Sequence, residues 1–396
     1  MKAVALGGCG GMGRYAVPAV LAYDFVEEVV IADLDGERAA AFAQDCGPKA
    51  TSIALDVTNA DALAKVLSGA DIVLNTTGPF YRLGVPILRA AIQAGCHYID
   101  INDDWEPTLE MLDLDEEARQ TGITAIVGVG ASPGVSNLLA IKAMGQLDSV
   151  EDVITGWGFG GGPAQAFDRE GSATGHGAPS APSAALVHWM YQCSGKIRLL
   201  RDGKFLDVAP IEELKIEYPG IGTSTAWTVG HPEAVTLPRS RPGLRNSYNV
   251  MCGSRRVVDA VRGIAAEIDA GRLTAIQGAQ LLVSPAARRP SPEPISPTPK
   301  EPRLPPLFAL ARGTRNGKPA SVGTTVLGMP PGGMGGATGV PMAVALAMVA
   351  RGVITRRGVF APEDVIDPDA FFDELAPLCN PPLADSRAVV LITRSG

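Results

Sequence analysis

The chain has 396 residues, 46% of them hydrophobic, and a formal charge of −8 from 34 basic and 42 acidic side chains. That length buries a full core and points to two domains, while the acidic balance repels phosphates and argues against a nucleic-acid or anionic-membrane partner. The 46 glycines and 32 prolines exceed average usage without reaching low complexity, so we expect a globular protein with much shaped loop and a small-molecule role.

Lys2 to Leu6 reads as a short buried strand running into G-G-C-G-G-M-G, which holds G-x-G-x-x-G as Gly8, Gly10 and Gly13 with Gly11 and Met12 between them. A helix pattern follows. This order suits a diphosphate: one glycine permits the tight turn, the next admits close backbone approach, and the third lets helix and strand pack. The anion would then sit on the exposed N–H groups of the helix start. Glu28 to Ala32 is a second strand ending at Asp33, 20 residues after Gly13, where a carboxylate accepts from the adenosine ribose hydroxyls and repels a 2′-phosphate. NAD is therefore expected, with NADP kept open by Arg38. Thr51 to Leu55 is a third strand, ending at Asp56. Asp71 to Asn75 is a fourth, ending at Thr76, Thr77, Gly78 and Pro79, where a nicotinamide would reach. Alternating strands and helices continue to about Gly130. The fold class is α/β, a Rossmann doubly wound parallel sheet.

From about Gly134 the pattern changes. Hairpins are expected at Asp202-Gly203 and Asn316-Gly317, pairs suited to positive φ, so the second α/β domain should carry a mixed sheet. Helices are expected near Pro182 to Gln192 and Ser254 to Ala270, the latter with Val257, Val261, Ile264 and Ile268 at helical spacing. The stretch from Pro285 to Pro306 is too rich in proline for a central element and reads as an extended connection. A glycine-rich segment, Gly328 to Gly339, precedes a long apolar helix over Val340 to Ala350, and Pro362 to Leu375 reads as a short acidic helical tail. Six scattered cysteines show no C-x-x-C and no histidine pair at ligand spacing, which predicts free thiols and no metal site. No signal-like segment and no apolar run near 18 residues is evident, so a cytoplasmic protein without a membrane partner is expected.

Several blocks carry a family likeness: N-T-T-G-P-F (Asn75 to Phe80), A-G-C-H-Y-I-D (Ala94 to Asp100), G-A-S-P-G-V-S-N (Gly130 to Asn137), G-H-P-E-A-V-T-L-P-R (Gly230 to Arg239) and the segment Ala337 to Ile354. In these the chain resembles the saccharopine dehydrogenase family, from Met1 to about Leu375. The resemblance implies a nicotinamide-dependent oxidoreductase acting on the C–N bond of an amino acid, lysine-like or opine-like, as a homodimer. It also implies that the helix after Gly339 returns to the nucleotide domain. The expected division is then 1–133 completed by 336–358, a substrate domain over 134–335, and a tail over 359–396. Two departures stand out: Leu34 follows Asp33 where many members place a basic residue, and the proline-rich stretch interrupts the second half.

Amine oxidation needs a group to take the ammonium proton and a group to neutralise the substrate carboxylate. Asp100 closes a strand at the ligand-binding edge, with Asp103 and Asp104 just after it; Asp103 equally suits a helix cap. His231, with Glu233 two residues on, is the acid/base candidate, although lone histidines also serve as structural hydrogen-bonders. Arg241 and Arg245 suit a carboxylate grip, or are solvated. Tyr81 and Arg82 follow the nicotinamide turn as substrate contacts. Cys96 beside His97 is no nucleophile pair, because adjacent strand residues face opposite ways. The alternatives are reductive condensation of an amine with a keto acid or aldehyde, and a dinucleotide-binding scaffold without turnover.

Overall fold

The computed structural model describes residues 1–158, 184–283 and 301–396. The chain forms two compact units, Met1–Lys142 with Val326–Leu391, and Ala143–Thr325 with Ile392–Gly396.

The first unit is built on seven parallel strands: β1 (Lys2–Leu6), β2 (Glu28–Asp33), β3 (Ala50–Ala54), β4 (Ile72–Asn75), β5 (His97–Asp100), β6 (Thr124–Ile126) and β15 (Gly358–Phe360). Their order is β15-β6-β5-β4-β1-β2-β3. The central strands are apolar runs because helices cover both faces of such a sheet; Val4, Leu6, Val73 and Tyr98 lie in one continuous core cluster with Ile87, Leu88 and Met111. Strand order reverses between β1 and β4, which opens the ligand crevice of this architecture beyond their carboxyl ends.

The unit reaches further along the chain than the expected 1–133 and 336–358. The GASPGVSN block belongs to it: Gly134 turns at φ +116, its N–H donates to Asn137 Oδ1 at 2.9 Å, and Asn137 Nδ2 donates to Glu363 Oε2 at 2.8 Å. Residues 359–396 are no tail. Gly358–Phe360 is the seventh strand, Pro368–Leu375 is a helix that buries Phe371, Phe372 and Leu375, and β16 (Val390–Ser395) joins the second sheet.

The apolar helix starts at Gly333 rather than Val340 and runs to Ala350. Its length and composition match a membrane span, but it is buried nearly all round, as a core helix is. Glycine disfavours helix, and here close packing outweighs that preference. A Cβ on Gly335 would meet the Tyr15 ring and lie 2.8 Å from the Gly11 carbonyl, and one on Gly339 would strike the Met12 carbonyl and lie 2.9 Å from Ala16 N. The helix therefore lies backbone to backbone on the helix Gly13–Leu21.

The second unit holds a mixed sheet of β7 (Ser149–Gly158), β8 (Ile197–Arg201), β9 (Lys204–Val208), β10 (Glu213–Tyr218), β11 (Gly222–Thr228), β12 (Asn246–Cys252), β13 (Leu307–Arg315), β14 (Lys318–Val326) and β16. The main path is β10-β11-β12-β7-β13-β14-β16, with the β8–β9 hairpin attached to β12. β7 and β12 are parallel inside a largely antiparallel sheet. Both hairpins turn as expected, with positive φ at Asp202 and Gly203 and at Asn316 and Gly317. Helices Ala184–Gln192, Arg255–Asp269 and Ala275–Val283 pack with Trp227 and Met251 on one sheet face, while Ile154, Tyr218, Val250 and Phe308 form a core on the other. The expectation for 285–300 lies outside the described residues. Where the proline-rich stretch re-enters, Glu301 accepts from the Thr225 hydroxyl and N–H at 2.6 and 3.0 Å, and Ser224 Oγ donates to the Pro302 carbonyl.

Gly339→Val should push the helix Gly333–Ala350 off its neighbour and cost about 3 kcal/mol or more. Gly11→Ala, whose Cβ meets nothing within 4 Å, should change stability by well under 1 kcal/mol, within the range of an exposed substitution; thermal and denaturant unfolding compare the two.

Candidate functional site

The glycine loop after β1 is shaped by backbone crowding. A Cβ on Gly13 would lie 2.6 Å from Gly8 Cα and 2.7 Å from the Gly7 carbonyl, one on Gly8 would lie 2.9 Å from the Ala5 carbonyl, and one on Gly10 would lie 2.9 Å from the Gly7 carbonyl. The close-packing role thus falls on Gly8 and Gly13 together, and Gly11 faces open space. The helix Gly13–Leu21 has no side-chain cap at Met12 and no acid in its first turn. Arg14 N and Tyr15 N already donate to the Gly10 and Met12 carbonyls, which leaves the N–H groups of Gly11, Met12 and Gly13 for an anion, so the residues present fit a dinucleotide diphosphate. Across the crevice, Thr76 Oγ1 donates within 3.0 Å of the Leu6 and Gly7 carbonyls, and Thr77 Oγ1 is buried without a hydrogen-bond partner among the described residues.

Asp33 ends β2, half-buried, and accepts from Asp35 N at 3.2 Å. Cys9 of the glycine loop lies against it: burial and a hydrogen bond to Asp33 push the thiol up to about 12. Leu34 is 76% exposed beside it. Asp56 is solvent-facing and spends its carboxylate on Thr58, accepting from its hydroxyl at 2.7 Å and its N–H at 2.9 Å, which lowers its pKa. It is a turn-former whose charged oxygen is already engaged. Cys96 is closed off too, its thiol turned to the Leu67 and Ala70 carbonyls and raised to about 11 by burial.

Asp100 is not the open carboxylate expected. It is fully buried, and both oxygens are engaged: Oδ1 accepts from Gly128 N at 2.7 Å and Asn102 N at 3.0 Å, and Oδ2 accepts from the Tyr98 hydroxyl at 2.8 Å. Asn75 Nδ2 donates to that same hydroxyl at 2.9 Å, and Asn75 Oδ1 accepts from Thr77 N. A continuous polar chain thus links the loop after β4 to the loops after β5 and β6. Burial pushes the Asp100 carboxyl up to about 7, against the lowering effect of its three donors. Asp103 is partly exposed and raises Asp100 slightly by charge. It does not cap the next helix, Trp105–Leu112, whose N-cap is Asp104 without a side-chain cap bond; instead Asp104 Oδ2 accepts from Tyr81 N at the start of helix Phe80–Ala94. Tyr81 and Arg82 are exposed on that first turn.

In the second unit His231 and Glu233 are both buried, with Nδ1 and Oε2 2.6 Å apart. An ionised Glu233 only accepts, so Nδ1 then carries the proton and the ring tautomer is fixed. The His231 ring stands 6.4 Å from the Trp157 ring. Arg241 and Arg245 do not join this pair. His231 precedes the helix Glu233–Ser240 and Arg241 ends it, so about 12 Å of helix separates the two. Arg241 bonds the Ser240 carbonyl, and Arg245 lies 3.5 Å from Asp202 on the hairpin turn. Asn75 and Tyr98 were missed by sequence reasoning. The available signal was spacing: Tyr98 and Asp100 share a strand face, and Asn75 registers against Asp100.

Residues 4–126 match the family model described as saccharopine dehydrogenase NADP binding domain. The match lies within the nucleotide-binding unit and covers less than a third of the chain. A saccharopine dehydrogenase (NADP(+), L-glutamate-forming) of Saccharomyces cerevisiae is 30% identical over 146 residues, 37% of this chain and 31% of that protein. A trans-acting enoyl reductase of Mycobacterium ulcerans is 26% identical over 131 residues, 32% of this chain and 31% of that one. The matched part spans about a third of these relatives. The solved structure of apo saccharopine dehydrogenase (L-Glu forming) from Saccharomyces cerevisiae shares the fold over 100% of both chains, with a TM-score of 0.66 at 16% identity.

The Asp100 pKa near 7 lies above the unfolded value of about 3.9. Between the two, the folded state holds a proton that the unfolded state has released, so this contribution to stability is complete below about pH 4 and is lost as pH rises through about 7. Asp100→Asn should remove that downward slope from the Tm against pH profile. A variant profile that keeps the slope would assign it to another group.

Proposed function

We propose that the protein is an NAD(P)-dependent oxidoreductase that transfers hydride to or from the carbon of an amino-acid C–N bond, with NAD as the preferred cofactor. The observation that carries this is the buried His231–Glu233 pair, set in a chain whose other unit is a saccharopine dehydrogenase-family nucleotide domain. Bound nicotinamide supplies the hydride chemistry. The chain's own residues do the rest. The uncapped start of helix Gly13–Leu21 and the glycine loop hold the diphosphate. Asp33 accepts from ribose hydroxyls and disfavours a 2′-phosphate, with exposed Leu34 beside it instead of a cation. The yeast relative is named for NADP(+), so the preferred cofactor is where this chain departs from it.

Asp100, Tyr98 and Asn75 act as positioning residues, fixing the backbone at Thr77. His231 moves the proton on the substrate nitrogen, and Glu233 holds the ring tautomer and steadies the imidazolium. Oxidation and reductive condensation are the two directions of this chemistry. The mycobacterial relative matches in the same third of the chain, so reduction of a carbon–carbon double bond is the rival that a substrate panel must exclude.

The full chain, given NAD or NADP and a panel of diamino acids, opines and saccharopine, should form reduced nicotinamide faster with NAD. His231→Ala should lower kcat by about 10²–10⁴ with KM little changed. Asp33→Ala should weaken NADH by about tenfold or more while leaving NADPH nearly unaffected, by calorimetry. Reduction of an enoyl substrate with no hydride transfer to or from any amine would overturn the proposal.

A further inference from the structure

The mixed sheet presents one face of unusual composition. A Cβ on Gly156 would meet Phe308 and Val250, so Gly156 faces the core on that side, and its strand neighbours Thr155 and Trp157 point to the other face. In register with Thr155 stand Asn249 on β12 and Ala309 on β13. This row is short and polar, whereas the next row toward the end of β7 carries Met251, Trp157 and Leu307.

Asn249 is 1% exposed. Its Nδ2 donates to Thr155 Oγ1 at 2.9 Å, and its Oδ1 has no hydrogen-bond partner among the described residues. Such an orphan acceptor costs stability and calls for a reason. The surroundings supply one. Trp157, two residues from Thr155 on the same face, has its ring 6.4 Å from that of His231. Ser247, two residues from Asn249 on the same face, has Oγ 3.5 Å from the Glu233 carbonyl. The unpaired amide oxygen and the His231–Glu233 pair therefore share one face of the second unit.

We infer that Asn249 Oδ1 is the acceptor for an N–H of the substrate, which is a primary or secondary ammonium carried on an apolar arm that lies along Trp157. This deepens the proposed amine chemistry and rests on that reading. A neutral amide binds ammonium and amine alike, so the nitrogen can lose its proton to His231 without leaving a charge stranded beside it. Thr155 aims the amide by holding Nδ2, and Ala309, with no side chain beyond Cβ, adds no competing polar group to the row.

The test uses the full chain with Thr155→Val/Asn249→Leu and with Asn249→Asp. The double variant replaces both members of the pair by apolar groups of similar size, so without ligand its Tm should equal or exceed that of the parent. Calorimetry with L-lysine and L-saccharopine should show binding by the parent, binding at least about tenfold weaker in the double variant, and binding retained in Asn249→Asp, which keeps an acceptor. Parent-like affinity in the double variant overturns the inference even when the parent turns over an amine. Binding that depends on Asn249 in a protein that transfers no hydride supports the inference and removes the wider reading. Failure of both amines to bind the parent overturns the inference.

Discussion

Backbone-to-backbone approach around the glycine loop is the constraint on which the first unit depends. Three segments meet there with no room for side chains: the turn after β1, the helix Gly13–Leu21, and the helix Gly333–Ala350. Gly8 and Gly13 set the first contact, and Gly335 and Gly339 set the second. The turn can present bare N–H groups to a diphosphate only if nothing caps the helix and nothing lifts it from the strand. The long buried helix then serves the site indirectly, by holding the back of the phosphate-binding helix. This is why the chain must return to its first unit after completing most of the second, and why 358–375 adds a strand and a helix there rather than trailing off.

Polar burial does the equivalent work in both units, by different arrangements. In the first, Asp100 spends both oxygens on three donors, one of them the Tyr98 hydroxyl that also accepts from Asn75. Every member is paired, so the network stiffens three loop starts and exposes no reactive atom. In the second, Glu233 pairs with Nδ1 of His231, and the amide of Asn249 is half satisfied among the described residues. Fully satisfied networks build scaffolds, whereas an unmet hydrogen-bonding group is where a ligand gains most.

Much of this was legible from residues. The parallel sheet, the glycine loop and Asp33 follow from apolar runs and spacing, and the Asp-Gly and Asn-Gly pairs marked both hairpins because few other residues take two positive φ angles in succession. What escaped was set by distant parts of the chain. Asp100 looked accessible because it ends a strand; its burial comes from Tyr98, Asn102 and Gly128, of which only the register of neighbouring strands gives notice. The helix start at Gly333 was hidden because glycine's low helix propensity is overruled by packing. Arg241 and Arg245 seemed near His231 until the helix Glu233–Ser240, which contains Pro238, intervened. The three residues of β15 are too short a run to announce a strand.

The parallel pairing of β7 with β12 is the topological choice that matters most in the second unit. Antiparallel neighbours are easily joined by hairpins, as β8–β9 and β13–β14 are, but a parallel pair requires a long excursion between its strands. Between β7 and β12 the chain contributes the helix Ala184–Gln192, the β8–β9 hairpin, two further strands and the helix that follows His231. That excursion places His231 and Glu233 just before β12, so the histidine arrives over the strand that carries Asn249, in register with Thr155 of β7. An all-antiparallel sheet joined by short turns would bring the same polar row together with nothing above it. The excursion gives one sheet face both an unpaired amide oxygen and a buried imidazole–carboxylate pair.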